Sequence, residues 1–376
     1  MIKKEFQTIF KSMRNTYIFS LLLGITFLGN LAFAQKPSDK VIKKSMLKAF
    51  KWQQKNPNHN LNDWTNGAYY IGVTKAYQAT GNKAYLKGLT QMAESINWMP
   101  GERWFHADDI TICQSFLYMK EEGIQGVNLE PTVAVLDRVM TEDYDWKDEI
   151  KPIYWWWCDA LFMGPPVFVH YGVQSGQNKY LKASDELYKE CVDLLFDKDE
   201  HLFARDMRYQ WKGDKEYMKE SNGKKIFWSR GNGWVIGGLA LILQKMPADY
   251  ENRGYYVDLF KKLAAKLKSV QPEDGMWRSS LLDPEAYPHG EVSGTGFDTF
   301  AFLWGINNGL LDREEYLPAA MKAFSGLMAC QQKSGMMGWV QPIGADPKRN
   351  FSADSWEVYG TGAYLLACSE MLKLKE

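Results

Sequence analysis

The chain has 376 residues, with 45 basic and 45 acidic side chains and a formal net charge of zero. This balance excludes the strongly basic surface with which proteins neutralise nucleic-acid phosphates, so no nucleic-acid partner is expected. The five cysteines are odd in number and lack C-x-x-C spacing, and the five histidines lack metal-ligand spacing. Neither G-x-G-x-x-G nor a P-loop occurs, so the sequence predicts no bound metal or cofactor.

Residues 1–34 have the order of a secretory signal peptide. Four basic residues precede an apolar run over residues 17–31, and the sequence AFA at residues 32–34 offers small residues for cleavage. We expect a cut near Ala34 and a secreted or periplasmic mature protein; the alternative is an uncleaved N-terminal anchor. No later segment is long and apolar enough to span a bilayer, so no membrane contact is expected after cleavage.

Residues 35–376 are expected to form one domain, because no Ser/Pro-rich linker, low-complexity tract or charge block marks a boundary. Apolar residues recur at three-and-four spacing over residues 38–55, 184–196 and 256–269, which predicts amphipathic helices. Alternating strand patterns are scarce. Residues 201–210 are the best candidate for a short extended segment.

Helix starts that contain small residues recur along the chain, each followed by an apolar helix and, in the clearest cases, by a turn and an amphipathic helix. The six starts lie at Trp64, Ala107, Asp159, Arg230, Ser293 and Tyr359. Six such pairs predict an all-α fold, the (α/α)6 barrel, with apolar helices inside and amphipathic helices outside. An α-solenoid is the alternative, although solenoid repeats are more regular in length.

In such a barrel the N-termini of the inner helices open at one end, so residues at these starts converge on one cleft. The converging set is Trp64, Asp108, Asp109, Asp159, Arg230, Trp234 and Thr295. Aromatic faces with polar edges suit sugar rings, and aromatic residues make up 14% of the chain. The cleft is therefore expected to bind a saccharide.

Asp159 is the first catalytic candidate, because it lies in the almost wholly apolar stretch WWWCDALFMGPP at residues 155–166. Burying an ionised carboxylate is costly unless it is paired or stays protonated. A carboxyl that is protonated near neutral pH can act as a general acid. The alternative is a helix N-cap, in which Asp159 accepts backbone N–H bonds.

The stretch RWFHADDI at residues 103–110 supplies two more carboxylates, Asp108 and Asp109. One of them can help to raise the pKa of Asp159 across the cleft. The alternative for both is a cap or a partner of the helix dipole. His106, in the same stretch, is a further candidate for substrate binding.

The stretch FWSRGNGW at residues 227–234 supplies a planar guanidinium at Arg230 that suits a carboxylate, with Trp234 one turn later as a stacking face. The alternative is a structural arginine that bonds loop carbonyls, with Trp234 in the core. Arg205 and Asp206 are candidates of the same kind, against the alternative of a solvated face. The stretch HGEVSGTG at residues 289–296 is interpreted as a turn, with a weaker case for binding.

The stretch WWWCDALFMGPP, followed about seventy residues later by WSRGNGW, resembles glycoside hydrolase family 105, the unsaturated rhamnogalacturonyl hydrolases. Family 88, the unsaturated glucuronyl hydrolases, is related, and the resemblance runs from about Trp64 to Tyr364. It implies an (α/α)6 barrel, no metal, and an oligosaccharide substrate with a 4,5-unsaturated uronic acid at its non-reducing end. It also implies hydration of the vinyl-ether double bond, in place of attack at the anomeric carbon.

Carried over by motif, the resemblance makes Asp159 the general acid that also activates water, and Asp108 the supporting carboxylate. Arg230 and Trp234 fall on residues that contact the unsaturated sugar, and Trp64 falls on an aromatic that lines the cleft.

The sequence departs from the family pattern at Arg205, which stands where relatives carry a histidine. An arginine there implies a substrate whose acidic group it can hold, and so a preference other than rhamnogalacturonan.

Two other functions are compatible with the same barrel. A conventional inverting glycosidase would use Asp108 or Asp109 as the base that activates water at the anomeric carbon. A glycan-binding protein without catalysis would need no protonated carboxyl at Asp159.

Overall fold

Helices make up most of the chain in the computed structural model, which describes residues 35–211 and 218–375. The predicted signal peptide at residues 1–34 lies outside the described residues. Within the described part, no helix combines the length and the apolar character needed to cross a bilayer. From Lys36 onward the described residues form one compact unit.

The described elements are short helices and one pair of strands. In chain order the helices are α1 (Asp39–Lys55), α2 (Trp64–Thr80), α3 (Lys83–Ser95), α4 (Ala107–Ile110), α5 (Cys113–Glu121), α6 (Glu130–Thr141), α7 (Ala160–Met163), α8 (Pro165–Ser175), α9 (Asn178–Leu195), α10 (Ser229–Lys245), α11 (Arg253–Ser269), α12 (Val292–Asn307), α13 (Arg313–Ala329) and α14 (Val358–Lys373). Strands β1 (Phe196–Asp197) and β2 (Leu202–Phe203) form an antiparallel hairpin. Single 3-10 turns span Met207–Tyr209 and Pro284–Ala286.

Burial separates the helices into two kinds that alternate along the chain. Helices α10, α12 and α14 are buried over nearly their whole length, and α2 over most of it, because their small and apolar residues leave no polar face. Helices α1, α3, α9 and α11 bury one face only, as their mixed apolar and charged patterns predict. The first kind also includes α5 and α8, and the second α6 and α13.

The inner helices contact one another in a closed cycle within the described residues. Helix α2 contacts α5, and the cycle continues through α8, α10, α12 and α14, which returns to α2. A solenoid would leave its first and last helices apart, since each repeat contacts only its neighbours. The predicted (α/α)6 barrel is confirmed, and the solenoid alternative is wrong.

Helix boundaries follow the sequence pattern closely. The helix predicted over residues 38–55 is α1, which Ser38 precedes as the flanking residue. The segments 184–196 and 256–269 lie mostly within α9 and α11, which begin earlier, at Asn178 and Arg253. The extended segment predicted at residues 201–210 is β2 followed by a 3-10 turn.

Two inner helices are broken near their N-termini, and these breaks shape the mouth of the barrel. Helix α4 gives way to α5 after two residues, and α7 gives way to α8 after one. Pro165 and Pro166 have no backbone N–H, so the hydrogen-bond ladder of α7 cannot continue through them. The short segments that carry Asp108 and Asp159 therefore need not follow the axes of the longer helices α5 and α8.

Candidate active site

Three residues predicted from the sequence lie together at the mouth of the barrel: Asp108 in α4, Asp159 just before α7, and Arg205 just after β2. The Nε atom of Arg205 lies 3.5 Å from Oδ2 of Asp159. The charge of Asp159 in turn raises the pKa of Asp108. The structure thus brings two carboxyls and one guanidinium within electrostatic reach of each other.

Asp159 is enclosed, with 11% of its side chain exposed. Its side chain caps no helix, so the N-cap alternative is wrong. The Cys158 thiol donates to Oδ2 at 3.6 Å, and the backbone N–H of Cys158 donates to the carbonyl of Arg205 at 2.9 Å. Burial raises the pKa of Asp159, while the charges of Arg205 and Arg230 oppose that rise.

Asp108 is the second enclosed carboxyl. Its Oδ1 atom is buried and has no hydrogen-bond partner among the described residues. Burial and the charge of Asp159 raise the pKa of Asp108 to about 7, against the lowering effect of Arg103 and Arg205. The raised pKa favours the protonated carboxyl near neutral pH, which is the form that acid catalysis requires.

His106 is the cap of α4, in place of either acid. Its Nδ1 atom accepts the backbone N–H of Asp108 at 3.3 Å, so Nδ1 carries no proton. Burial and the nearby charges of Arg103 and Arg205 lower the pKa of His106 to about 3. The imidazole is neutral at physiological pH, and it packs 4.4 Å from the ring of Trp157. The interpretation of Asp108 or Asp109 as a cap is wrong.

Asp109 is held by Arg103. Its Oδ1 atom accepts from Arg103 Nη2 at 2.5 Å, and its Oδ2 atom accepts from the backbone N–H of Arg103 at 2.8 Å. The backbone N–H of Gly101 donates to its carbonyl at 2.8 Å. These contacts fix the turn before α4. The predicted binding role of Asp109 finds no support in its position.

Arg205 lies on the wall of the cleft, with 17% of its side chain exposed, and not on a solvated face. Its Nη1 atom donates to Asp206 at 2.9 Å, and Asp206 is fully buried and also accepts from Arg208. The guanidinium lies 5.4 Å from the ring centre of Trp156. One edge of Arg205 is thus anchored, while its Nε edge faces Asp159.

Arg230 and Trp234 have the buried surroundings that the structural alternative describes. Both are fully buried. Arg230 donates through Nη1 to the Gln341 carbonyl at 2.6 Å and through Nη2 to the Pro342 carbonyl at 2.9 Å. Trp234 packs 4.2 Å from Phe297 inside the barrel. Direct contact of these two side chains with a sugar is therefore not supported by the arrangement, although the charge of Arg230 reaches Asp159.

Trp64 lies at the start of α2 and is half-buried. Its ring stacks on Tyr359 at 5.4 Å with an interplanar angle of 17°, and its edge meets Trp234 at 6.0 Å. The position suits the predicted cleft-lining role. Thr295, in contrast, is fully buried, and its Oγ1 atom accepts the backbone N–H of Trp277 at 3.0 Å.

Several residues of the site were not predicted to act in it. Tyr359 donates to the Gln341 carbonyl at 2.7 Å, and its ring stacks against the ring of Trp64. Its place at one of the six inner-helix starts was a signal for this role. Cys158 and Trp156 are close to Asp159 in the apolar stretch at residues 155–166, but no pattern in the chain shows which of these side chains face inward.

The arrangement suits the delivery of one proton inside a cleft lined by aromatic rings. Two neighbouring carboxyls of raised pKa provide the proton, and Arg205 offers a fixed positive charge. Among residues 35–211 and 218–375, no three His, Cys, Asp or Glu side chains group as possible metal ligands.

Comparison with known proteins gives a consistent result. The model of Glycosyl Hydrolase Family 88 matches residues 38–375. A curated relative from Formosa agariphila, named "Unsaturated 3S-rhamnoglycuronyl hydrolase", is 51% identical over 345 residues, which cover 89% of this chain and 91% of the relative. A relative of the same name from Alteromonas sp. (strain LOR) is 35% identical over 330 residues, which cover 83% and 78%.

A solved structure described as "Glycosyl hydrolase family 88 from Bacteroides vulgatus" superposes with a TM-score of 0.81. Its sequence is 28% identical, and the match covers 89% of this chain and 99% of that chain. Sequence and structure therefore agree over almost the whole described length.

Proposed function

The chain belongs to glycosyl hydrolase family 88, and we propose that it removes a 4,5-unsaturated uronic acid from the non-reducing end of oligosaccharides produced by polysaccharide lyases. It is a glycosidase by its family. The observation that carries the proposal is the pair of enclosed carboxyls, Asp108 and Asp159, whose pKa values are both raised and which lie beside Arg205.

The proposed chemistry is addition of water across the vinyl ether of the unsaturated ring. Asp159 donates its proton to C4, and positive charge develops at C5 and the ring oxygen. Water adds at C5 and returns a proton to Asp159, which restores the acid. The resulting hemiketal opens to a ketone at C5, and the ring oxygen becomes the hydroxyl of a hemiacetal at C1. This hemiacetal collapses to an aldehyde, its hydroxyl proton is lost, and the neighbouring sugar leaves with its oxygen, which takes up a proton.

The neighbours of Asp159 have supporting roles in this proposal. Asp108 keeps a proton within the pair near neutral pH, because burial and the charge of Asp159 raise its pKa to about 7. His106 stays neutral and orients Asp108 through the N–H that it caps. Trp64, backed by Tyr359 and Trp234, offers a face to the unsaturated ring.

A conventional inverting mechanism has less support. It needs an ionised carboxylate that can activate water at the anomeric carbon. Asp109 is engaged by Arg103, and burial holds the pKa of Asp108 at about 7. A glycan-binding role without catalysis does not account for two neighbouring carboxyls of raised pKa.

We assign the neighbouring sugar from the relatives' names. Two relatives are named for a 3S-rhamnoglycuronyl substrate, which we interpret as rhamnose with a sulfate at position 3, attached to the unsaturated uronic acid. Arg205, anchored by Asp206 at the cleft wall, is the cation that we assign to an acidic group of this substrate. The signal peptide expected at residues 1–34 would bring the enzyme to the periplasm or outside the cell.

The test follows the ultraviolet absorbance of the conjugated unsaturated uronate. Lyase fragments of ulvan, rhamnogalacturonan, homogalacturonan and chondroitin are mixed with the purified protein and with its Asp159→Asn variant. Loss of absorbance with the wild type, and not with the variant, supports hydration by Asp159 and identifies the substrate class. Cleavage of saturated oligosaccharides, or no loss of absorbance on any fragment with folded protein, would overturn the proposal.

A further inference from the structure

Six aromatic rings form a continuous surface that leads away from the two carboxyls; we call it the aromatic wall. Its members are Trp104, Phe105, Tyr144, Trp146, Trp156 and Trp157. Ring centres lie 5.3 Å apart between Trp157 and Trp156 and 6.5 Å apart between Trp156 and Trp146. The wall then continues to Phe105, 5.1 Å from Trp146.

Exposure increases along the wall. Trp157 is 2% exposed and packs on His106, which holds Asp108. Trp156 and Trp146 are half-buried, and Tyr144 at the far end is 38% exposed. A purely structural cluster would place its largest rings in the core, whereas this one extends from the carboxyls to the protein surface.

The outer end of the wall is held in place by the neighbouring chain. The hydroxyl of Tyr154 accepts the backbone N–H of Tyr144 at 3.0 Å and donates to Asp143 at 3.0 Å. The ring of Tyr144 stacks on Phe105 at 3.5 Å with an angle of 10°. Tyr144 lies in an exposed segment without regular secondary structure, but these contacts fix the orientation of its ring. The ring of Tyr144 is therefore a rigid surface for stacking.

Positive charge lies beside the wall. Lys147 is placed over the ring of Tyr154, and Lys151 over the ring of Trp156. Cations at these positions suit an anionic saccharide.

We propose that the aromatic wall is an outer binding surface for sugar rings beyond the cleaved bond, with Tyr144 as its most distant platform. The inference rests on the proposed function, which places the unsaturated ring beside Asp159. It implies that the enzyme prefers oligosaccharides longer than a disaccharide, because only longer chains reach the exposed end of the wall. A neutral or anionic pyranose can stack there, since the contact uses the ring face.

The test compares a lyase-generated disaccharide with the tetrasaccharide of the same polymer, taking the fragments that the wild type accepts best. Tyr144→Ala is expected to lower kcat/KM for the tetrasaccharide about three- to ten-fold more than for the disaccharide, the range that one aromatic contact contributes. Tyr144→Phe keeps the ring and is expected to recover the wild-type preference. Val173→Ala, a truncation of an equally exposed side chain (38%) in α8, is the matched control and should alter neither value.

Equal losses for both fragments in Tyr144→Ala, or no loss, would overturn the inference. Calorimetric titration of the Asp159→Asn protein with both fragments supplies a second readout that needs no turnover. If the proposed function failed, the wild type would leave the absorbance of both fragments unchanged. The binding ratio in the Asp159→Asn background, with and without Tyr144→Ala, would still decide for or against the wall.

Discussion

Asp159 is buried and Asp108 is enclosed with 17% of its side chain exposed, but their immediate neighbours differ. Asp159 has the guanidinium of Arg205 at 3.5 Å, whereas Asp108 has the neutral ring of His106 at 3.6 Å. Arg205 therefore favours the ionised form of Asp159 in the free enzyme. An acidic group of the substrate that pairs with Arg205 would weaken this effect and so favour the protonated acid when the substrate is bound.

Replacement of Arg205 tests this balance directly. Arg205→Met removes the charge that most strongly lowers the pKa of Asp159, so that pKa is expected to rise. A general acid loses activity when it loses its proton, so the alkaline limb of kcat/KM against pH should move to higher pH. The overall kcat/KM should fall, because the acidic group of the substrate loses its partner.

Arg205→Lys is the matched control for the pH profile, since it keeps the positive charge and changes only the shape of the donor. Its alkaline limb should stay near that of the wild type, while its kcat/KM still falls. An alkaline limb that stays in place in Arg205→Met would show that Arg205 does not set the protonation of the acid.

The breaks in the inner helices explain why the site forms where it does. Asp108 sits in a helix of four residues, and Asp159 precedes another helix of four residues. Neither carboxyl is held within a long helix, so each can face the cleft without capping backbone N–H groups. The break at Pro165 was readable from the sequence, whereas the one after α4 has no proline or glycine to announce it.

Close packing of the inner helices requires a residue without a side chain at Gly72 of α2. A Cβ atom there would lie 2.4 Å from the carbonyl oxygen of Gly362 in α14, which is backbone and cannot move aside. Gly72→Ala is therefore expected to lower the free energy of unfolding by about 2–3 kcal/mol through overpacking. Urea denaturation followed by circular dichroism measures the loss.

Gly254→Ala in α11 is the matched control for this substitution. A Cβ atom at Gly254 meets nothing within 4 Å, so alanine there should be neutral or stabilising by up to about 1 kcal/mol. Equal effects of the two substitutions would mean that helix propensity, and not the contact between α2 and α14, controls the outcome.

At the scale of the whole molecule, the barrel was predictable because its cause is local. Each of the six helix starts and each amphipathic face is encoded within a short stretch of sequence, whereas the closure of the six pairs into a ring is shown only by the folded chain. Asp159 was predicted for the same reason, since the apolar character around it is visible in adjacent residues, whereas Asp108 was predicted from its place at a helix start and from the family resemblance.

The burial of Arg230 could not be read from the sequence, because it depends on distant parts of the chain. The carbonyls that it binds belong to Gln341 and Pro342, which are 111 and 112 residues away. The same holds for Trp234, which is enclosed by rings from α7 and α12. The motif shows that an arginine and a tryptophan lie four residues apart, but only the folded chain shows which residues bury them.

We expect Asp298 to make the stability of the protein depend on pH. Asp298 is fully buried in α12, and neither of its carboxylate oxygens has a hydrogen-bond partner among the described residues. Burial raises its pKa well above the ordinary value, and the charge of Glu291 adds to the rise. A group whose pKa is raised on folding favours the folded state fully below its unfolded pKa, and that contribution is lost as pH rises through the folded pKa. Stability should therefore decline from about pH 4 upward.

Asp298→Asn removes the ionisation and is expected to raise the free energy of unfolding at pH 8 while changing it less at pH 5. Urea denaturation at the two pH values measures the difference. Asp258→Asn, on the exposed side of α11, is the matched control and should leave the pH dependence unchanged. A buried carboxyl in one inner helix is enough to make the stability of the molecule depend on pH. An unaltered slope in Asp298→Asn would contradict the raised pKa of Asp298.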